Sequence, residues 1–541
     1  MGKIGKNVLE NLTQSMYDDS RIIYREYIQN SCDQIDIAMK NNSFVGEDLE
    51  IVITIDEKKR NIFIRDNANG ISKKDIVHKL EDIADSDKKQ GENKGFRGIG
   101  RLGGIGYCRE LRFVTSFSGE SEETTMIWDA KKLRDIFGDA DNHLSAEEVL
   151  KKIISYQYNN VNAESHYFEV QLLGVNEEND QLLDYSDILQ YISEVAPVNF
   201  KETFIYKNKI EQFLNEHKDE VQPMHCYKIG LRKRDGEIIY VRKDYPTKIY
   251  KILGNKKIGV DDVRDVYTDI IRDDQGNAIA WIWFAISCFK GAINDKGNPW
   301  KGLRLRQFNI QIGNRNTLSK FFSEGRGNSY FLGEVHTLSK KFRPNARRDY
   351  FTETPEVKDF EFALEEYFKN LTRLYKYASE INSSYDKIKK AETLEQDLQN
   401  KKQTGFSSTE DKTKMEVAKD AADAKAKEAV KKLDKFKEKT SAESQTPLSL
   451  LVEAIEHDRK TNVDEIKKRA ELKQKQEANL NNQKENTNKP EKARFLVDEL
   501  AAYDKKTRKI ISRIYDVIQK NMIKEEADAL VEKIQEELKR K

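Results

Sequence analysis

The stretch YREYIQNSCDQID, residues 24–36, limits most severely what this chain can become. At roughly 100° per residue from Glu26, Asn30 falls near about +40° and Asp33 near about −20°, so the three share one stripe of a helix. Tyr24, Ile28, Cys32, Ile35 and Met39 lie on the opposite side and form the usual core stripe. Ile22, Ile23 and Ile37 intrude on the polar stripe. A helix apolar on both sides has to be covered on both sides. Carboxylates and an amide enclosed in this way need a partner, because unpaired burial is costly. A bound cation or a polar ligand would meet that need; the ordinary alternative is a solvated face on a surface helix.

The 541 residues allow roughly two to four domains. Residues 1–200 mix helical and strand patterns. LEIVITIDEKKRNIFIRD alternates apolar residues around a polar turn and predicts a hairpin, with ELRFVTSF and HYFEVQLLGV as further strands. Residues 201–355 are again mixed, with EIIYVRKDY, AIAWIWFAISCF and LRLRQFNIQIG reading as strands. From 356 to 541 glycine and proline nearly vanish. Met415, Ala418, Ala422, Ala426, Ala429, Leu433 and Phe436 step by three and four, as do Leu496, Leu500, Tyr503, Thr507, Ile510, Ile514 and Val517. Both are narrow seams of the coiled-coil kind, and a polar, linker-like stretch near 470–492 separates them.

Charge excludes little. Lys and Arg number 94 against 93 for Asp and Glu, so no global field announces a nucleic acid or a membrane. The four cysteines, Cys32, Cys108, Cys226 and Cys288, form no CxxC pair, which argues against a zinc site or disulfide framework and for a reducing, cytoplasmic home. MGKIGKNVLE has no apolar signal region, and no apolar run approaches membrane-spanning length.

RDNANGISKKD places Asp66 at the end of a predicted strand, where an aspartate is either a turn former or a ligand group. GFRGIGRLGGIGYC packs Gly95, Gly98, Gly100, Gly103, Gly104 and Gly106 together, a density that frees backbone amides for anionic oxygens. It is not a P-loop, because no Gly-Lys-Ser/Thr follows. Gly98, Gly100 and Gly103 satisfy GxGxxG, yet no strand precedes them, which disfavours a dinucleotide fold. A glycine lid over a phosphate site remains.

An E-x3-N-x2-D helix, then strand-Asp-turn-Gly, then a glycine lid before a strand: this order resembles the GHKL ATPases, and within them the ninety-kilodalton heat-shock chaperones, over residues 10 to about 200. The resemblance implies an α+β fold. A GHKL (Bergerat) sandwich would be followed by a second α/β domain of ribosomal-protein-like βαβ type and a long helical, coiled-coil-rich tail. It implies ATP and Mg²⁺ as ligands. Glu26 would be the general base, Asn30 the Mg²⁺ ligand, and Asp66 the acceptor for the adenine amino group. Asp33, Gly70, Gly98, Gly100, Gly103, Gly104 and Gly106 would line the nucleotide. From the second domain, FRPNARRDYF resembles the chaperone segment that reaches the γ-phosphate, which would assign that role to Arg348, with Arg347 the alternative. The chain departs from the family at Ala68, which replaces the first glycine of D-x-G-x-G, and at Asp85, where the lid has a basic residue. The implied activity is a nucleotide-gated homodimeric clamp, chaperone-like and acting on a protein client. The alternatives are a MORC-like or anti-phage-defence clamp acting on DNA, and an ATP-gated scaffold for a partner enzyme. No membrane partner is implied.

Overall fold

In the computed structural model, the described residues are 5–6, 8–10, 19–82, 100–139, 141, 143–441, 445–459, 503–522 and 524–539. They divide into two compact units, residues 1–285 with 292–372, and residues 286–291 with 373–541.

The first unit contains an eight-stranded sheet of β1 (Glu50–Asp56), β2 (Asn61–Asp66), β3 (Cys108–Ser116), β4 (Glu122–Asp129), β5 (Ile154–Asn160), β6 (Tyr167–Val175), β7 (Lys228–Lys233) and β8 (Ile239–Tyr240). The order is β5-β4-β3-β6-β2-β1-β7-β8. All pairs are antiparallel except β1 with β7. The alternating LEIVITIDEKKRNIFIRD gives the β1–β2 hairpin, and its turn is closed by Arg60 at φ 57° and by Lys59 N–H donating to the Asp56 carboxylate at 3.0 Å.

Helices α1 (Ile22–Lys40), α2 (Ala130–Gly138), α3 (Ala146–Ile153) and α4 (Tyr185–Val195) pack on this sheet. Ile23, Ile28 and Ile35 of α1 meet Ile51, Ile53, Ile62 and Ile64 in one buried cluster. Ser145 and Glu148 form a reciprocal capping box at the start of α3. The start of α1 is held differently: Arg21 bridges Asp19 and Asp187, the latter on α4. The two ends of the predicted core stripe differ, since Tyr24 is fully buried and Met39 is 63% exposed. Met39 sits in the last turn of α1, beyond the sheet's cover.

Also in the first unit, β9 (Lys248–Leu253) and β10 (Lys256–Asp262) form a separate two-stranded ribbon. A five-stranded sheet follows, made of β11 (Asp265–Arg272), β12 (Ala278–Ile286), β13 (Gly302–Gln307), β14 (Ile310–Gln311) and β15 (Leu332–Thr337) in the order β11-β12-β15-β13-β14. LRLRQFNIQIG becomes β13 and β14, joined by Phe308 and Asn309, both at positive φ, as a two-residue hairpin turn requires. EIIYVRKDY contributes only Ile239–Tyr240. Helix α5 (Lys207–Glu216) belongs to the aromatic core built on Phe200, Phe204, Trp281, Trp283 and Trp300.

A fully buried charge cluster sits in this sheet. Glu334 takes Lys243 Nζ at 2.8 Å and Arg306 Nε at 2.6 Å. Arg306 also donates to the Glu194 carbonyl at 2.7 Å, and Arg304 pairs with the Glu194 carboxylate at 2.9 Å. Such a cluster adds little net stability but admits few alternative alignments. It ties the β13–β14 turn to the end of α4, beside α1.

The second unit is helical. Helix α6 (Pro355–Thr404) begins in the first unit and continues here from Arg373. Gly405 turns the chain at φ 97°, and α7 (Thr409–Ser441) returns along α6. Ala422, Ala429, Leu433 and Phe436 of the first predicted seam are buried there, with Phe436 edge-on to Tyr377 at 5.4 Å and Lys419 paired with Glu395 at 3.0 Å. This seam is therefore occupied within the chain. Residues 447–459 are helical, and α8 (Lys505–Asn521) and α9 (Lys524–Lys539) form a hairpin. Its core is Ile511 and Tyr515 against Val531, Ile534 and Leu538, whereas Ile510, Ile514 and Val517 of the second predicted seam face outward. Leu496, Leu500 and the linker near 470–492 lie outside the described residues. Among the described residues no helix is long and apolar enough to cross a membrane.

Candidate functional site

The polar stripe of α1 is enclosed. Glu26 is 3% exposed and Asp33 is 1% exposed, while Asn30, one turn after Glu26, is half-buried. Ile23 is buried within this stripe, but Ile37, near the helix end, is exposed. The two oxygens of Glu26 face different neighbours. Oε2 points at Gly100, where an added Cβ would come within 2.6 Å of it. Oε1 lies 2.7 Å from Arg348 Nε and 3.7 Å from Arg25 Nη2.

Arg348 arrives on a turn rather than on a strand. Its φ is +55°, an uncommon conformation for a residue with a side chain. Its N–H donates to the Asn345 carbonyl at 3.1 Å, and its own carbonyl accepts from Gly313 N–H at 2.9 Å, just past β14. Gly313 permits that approach, because a Cβ there would lie 2.4 Å from the Asp349 carbonyl. Arg347 is exposed and away from Glu26's ion pairs.

Asp66 ends β2 with its side chain fully buried. Oδ1 accepts from Ala68 N–H at 3.2 Å, and Oδ2 has no hydrogen-bond partner. Burial pushes its carboxyl up to about 6, against the opposing influence of the nearby Ser31 hydroxyl and the Ala68 amide. Gly70 follows at φ +69°, and a Cβ there would come 2.1 Å from the Ser116 carbonyl, so only glycine fits. The Ala68 methyl is accepted without exposure.

The glycine box enters as two short turns, Gly100–Leu102 and Ile105–Tyr107, ahead of β3. Gly103 N–H donates to the Gly100 carbonyl, and the Gly106 carbonyl accepts from Asn176. Gly104 is latched to α1: its N–H donates to the Tyr27 hydroxyl at 2.9 Å, and that hydroxyl donates to the Arg101 carbonyl at 3.0 Å. Gly95, Gly98 and Asp85 lie outside the described residues. Asp33 is buried, within electrostatic reach of Tyr227, whose hydroxyl donates to Asp36.

Three contributors were not singled out from the sequence: Arg25, Tyr27 and Gln29. Arg25 and Gln29 are one turn apart on the face beside the β13–β14 hairpin, where Arg25 Nη1 reaches the Gln311 carbonyl at 3.5 Å. With Arg348 and Pro344 they line a small cleft. Their i, i+4 spacing was visible, but the surface opposite them was not. Arg25 Nε and Nη2, Glu26 Oε1, Gln29 Oε1 and Asp66 Oδ2 are all buried without a hydrogen-bond partner. Glu26 Oε1 keeps its ion pairs, so contact with Arg348 is electrostatic rather than a directed hydrogen bond. Buried polar atoms are ordinarily satisfied. A cluster of open ones around a carboxylate, two guanidiniums and a glycine loop is suited to a polar, anionic ligand.

Residues 24–167 match the family of histidine kinase-, DNA gyrase B- and HSP90-like ATPases. With its helix over a large, mainly antiparallel sheet, this region is a GHKL-type ATPase domain. It resembles that of the chaperone protein HtpG. The Anaplasma marginale HtpG is 32% identical over 132 residues, covering 22% of this chain and 20% of that protein. The Psychrobacter arcticus HtpG is 28% identical over 139 residues, with 22% and 21% covered. The Legionella pneumophila (strain Lens) HtpG is 30% identical over 145 residues, with 23% of each covered. The chain thus matches about a fifth of the length of these relatives.

Proposed function

We propose that the chain binds ATP with Mg²⁺ at this site, hydrolyses it slowly, and works as a nucleotide-gated homodimeric clamp of chaperone type. One observation carries the reading: a buried Glu26 carboxylate lies between the glycine box and Arg348, in the same domain as a buried Asp66 whose Oδ2 has no hydrogen-bond partner. Asp66 takes the adenine amino group. The amides of Gly100 and Gly106 face the phosphates, while those of Gly103 and Gly104 are held within the protein by the Gly100 carbonyl and the Tyr27 hydroxyl and shape the loop. Among the described residues no cluster of three His, Cys, Asp or Glu could hold a metal. A Mg²⁺ ion held by the Asn30 amide oxygen would therefore take its other ligands from phosphate and water and would neutralise phosphate charge.

Arg348 and Glu26 neutralise each other in the structure. A triphosphate offers Arg348 a more highly charged partner. Its departure releases Glu26 to orient and deprotonate the attacking water, while the guanidinium balances charge on the transferring phosphoryl group. In this reading residues 201–355, apart from β7 and β8, which complete the ATPase sheet, are a βαβ-type transducer domain and residues 356–541 a tail that carries dimer contacts, all in the cytoplasm.

The test separates binding from turnover. Glu26→Ala should bind ATP nearly as the wild type does, measured by calorimetry, and lose on the order of 10²-fold or more in turnover. Asp66→Asn should lose binding itself, because a required acceptor becomes partly a donor. Wild-type turnover in Glu26→Ala would remove Glu26 as the base.

A further inference from the structure

The β9–β10 ribbon belongs to neither large sheet, and every residue from Lys251 to Val260 is exposed. Its outer part carries only positive charge, the two aspartates of β10, Asp261 and Asp262, falling at its base opposite Ile249 and Lys248. Lys248, Lys251, Lys256 and Lys257 are exposed, and no carboxylate occurs between Lys248 and Val260. None of the four has an ion-pair partner among the described residues. Other lysines of this unit do: Lys209 pairs with Asp265 at 2.9 Å and Lys233 with Glu57 at 2.7 Å. The ribbon also holds apolar side chains in water, with Leu253 54%, Ile258 42% and Ile252 37% exposed.

Register orders these groups. Lys251 is opposite Ile258, Leu253 is opposite Lys256, and Ile252 is opposite Lys257, so basic and apolar side chains alternate across the strands. Gly254 at φ +59° makes the tip. The base is fixed: Asn298, buried, accepts from Tyr250 N–H at 2.9 Å and donates to the Tyr250 carbonyl at 2.8 Å. Exposed Lys296 adjoins the arm, since a Cβ on Gly297 would lie 3.4 Å from Ile252 Cδ1.

We propose that this ribbon is an arm for duplex DNA, holding backbone phosphates through Lys251 and Lys256 and laying Leu253 and Ile258, on the same face, against the groove; Lys257, on the other face, lies over the Tyr250 ring at 4.1 Å. The charge of this outer part is complementary to a polyanion. A two-stranded ribbon has the width to enter a B-form major groove, whereas the deep, narrow major groove of A-form RNA would not admit it. Apolar side chains beside basic ones are what groove-inserting ribbons and wedges use. The inference is independent of the nucleotide reading.

The experiment uses the full chain and a short mixed-sequence DNA duplex, with binding followed by fluorescence anisotropy as salt is raised. Two phosphate contacts predict a slope of about −2 in log affinity against log salt. Lys251→Ser and Lys256→Ser combined should abolish most binding and flatten the slope. Lys209→Ser, at a paired lysine, should leave it unchanged. Circular dichroism of the double variant, unchanged from wild type, reports an intact fold at these exposed positions. Absence of duplex binding by the wild type overturns the proposal, as does a double variant that binds like it. Phosphatidylserine vesicles form the second arm: lysine-dependent binding to vesicles but not to duplex would mark the arm as membrane-seeking and would equally overturn it.

Discussion

At Asp66, stability and binding pull in opposite directions. Its folded-state carboxyl titrates at about 6, above the ordinary 3.8, because burial disfavours the charge. A raised pKa contributes stability that is fully present below 3.8 and is lost as pH rises through about 6. At neutral pH the buried carboxylate thus carries a cost on the order of 3 kcal/mol from the shift. Relative to wild type, Asp66→Asn should gain thermal stability as pH is raised from acid to neutral, though it binds no nucleotide. Melting curves of both proteins on either side of the transition check this, and a pH-independent difference would deny this cost. Ligand affinity follows the opposite sign. An adenine amino group donates to the charged form, so ATP affinity should fall as pH drops below about 6 and should stay level above it. Arg348 gives a second contrast at this scale. Arg348→Ala should reduce turnover about 10²-fold or more and change ATP affinity much less. Arg347→Ala, at an exposed side chain, should change neither; equal losses from both would mean a general basic patch rather than one positioned guanidinium.

Between elements, the glycine box is held to α1 by one hydroxyl. Removing it in Tyr27→Phe leaves the buried Gly104 N–H without its acceptor, which costs about 1–3 kcal/mol. The loop should then loosen and nucleotide affinity fall. Gly104→Ala should be worse in the wild-type background, because its Cβ would meet the Tyr27 hydroxyl at 2.4 Å. In the Tyr27→Phe background that clash is gone and only the Leu172 contact at 3.2 Å remains, so the two losses should be less than additive. Strict additivity would place the loop's support elsewhere. The latch also marks the boundary of what the sequence discloses. The α1 stripe, the β1–β2 hairpin and the density of glycines are local patterns, readable from spacing and period. Tyr27 meeting Gly104, or Arg348 meeting Glu26, joins residues distant in sequence, and no period records such a meeting. In α8 the sequence held two overlapping apolar stripes, Ile510–Ile514–Val517 and Ile511–Tyr515. The side chains of α9 decide which one is buried, and nothing within α8 distinguishes them. EIIYVRKDY fell short for the same reason: it is apolar enough for a full strand, but β7 offers it only a short paired edge.

For the molecule as a whole, the exposed stripe of α8 bears on assembly. Ile510 is 59%, Ile514 46% and Val517 59% exposed, one turn apart on a helix whose other side is already packed. A second copy of the same stripe is the simplest apolar cover and agrees with the proposed dimeric clamp. Its size limits its strength. Three side chains from each copy fall short of the roughly 1,000 Å² that a stable interface needs. The tail contact alone should therefore give a weak, concentration-dependent dimer. If ATP also brings the ATPase domains of two copies together, the contacts act in series and the second becomes intramolecular, raising apparent affinity without strengthening either. Light scattering of the full chain should then show a monomer–dimer equilibrium that moves toward dimer with a non-hydrolysable ATP analogue and less with ADP. Combining Ile510→Glu with Ile514→Glu puts like charges where the two stripes would meet. Both positions are exposed, so each chain should still fold and bind ATP while the dimer is lost at concentrations where the wild type pairs. If the charged variant keeps the wild-type mass at every concentration, with and without the analogue, the stripe is not the contact between copies and dimerisation must be sought on another surface.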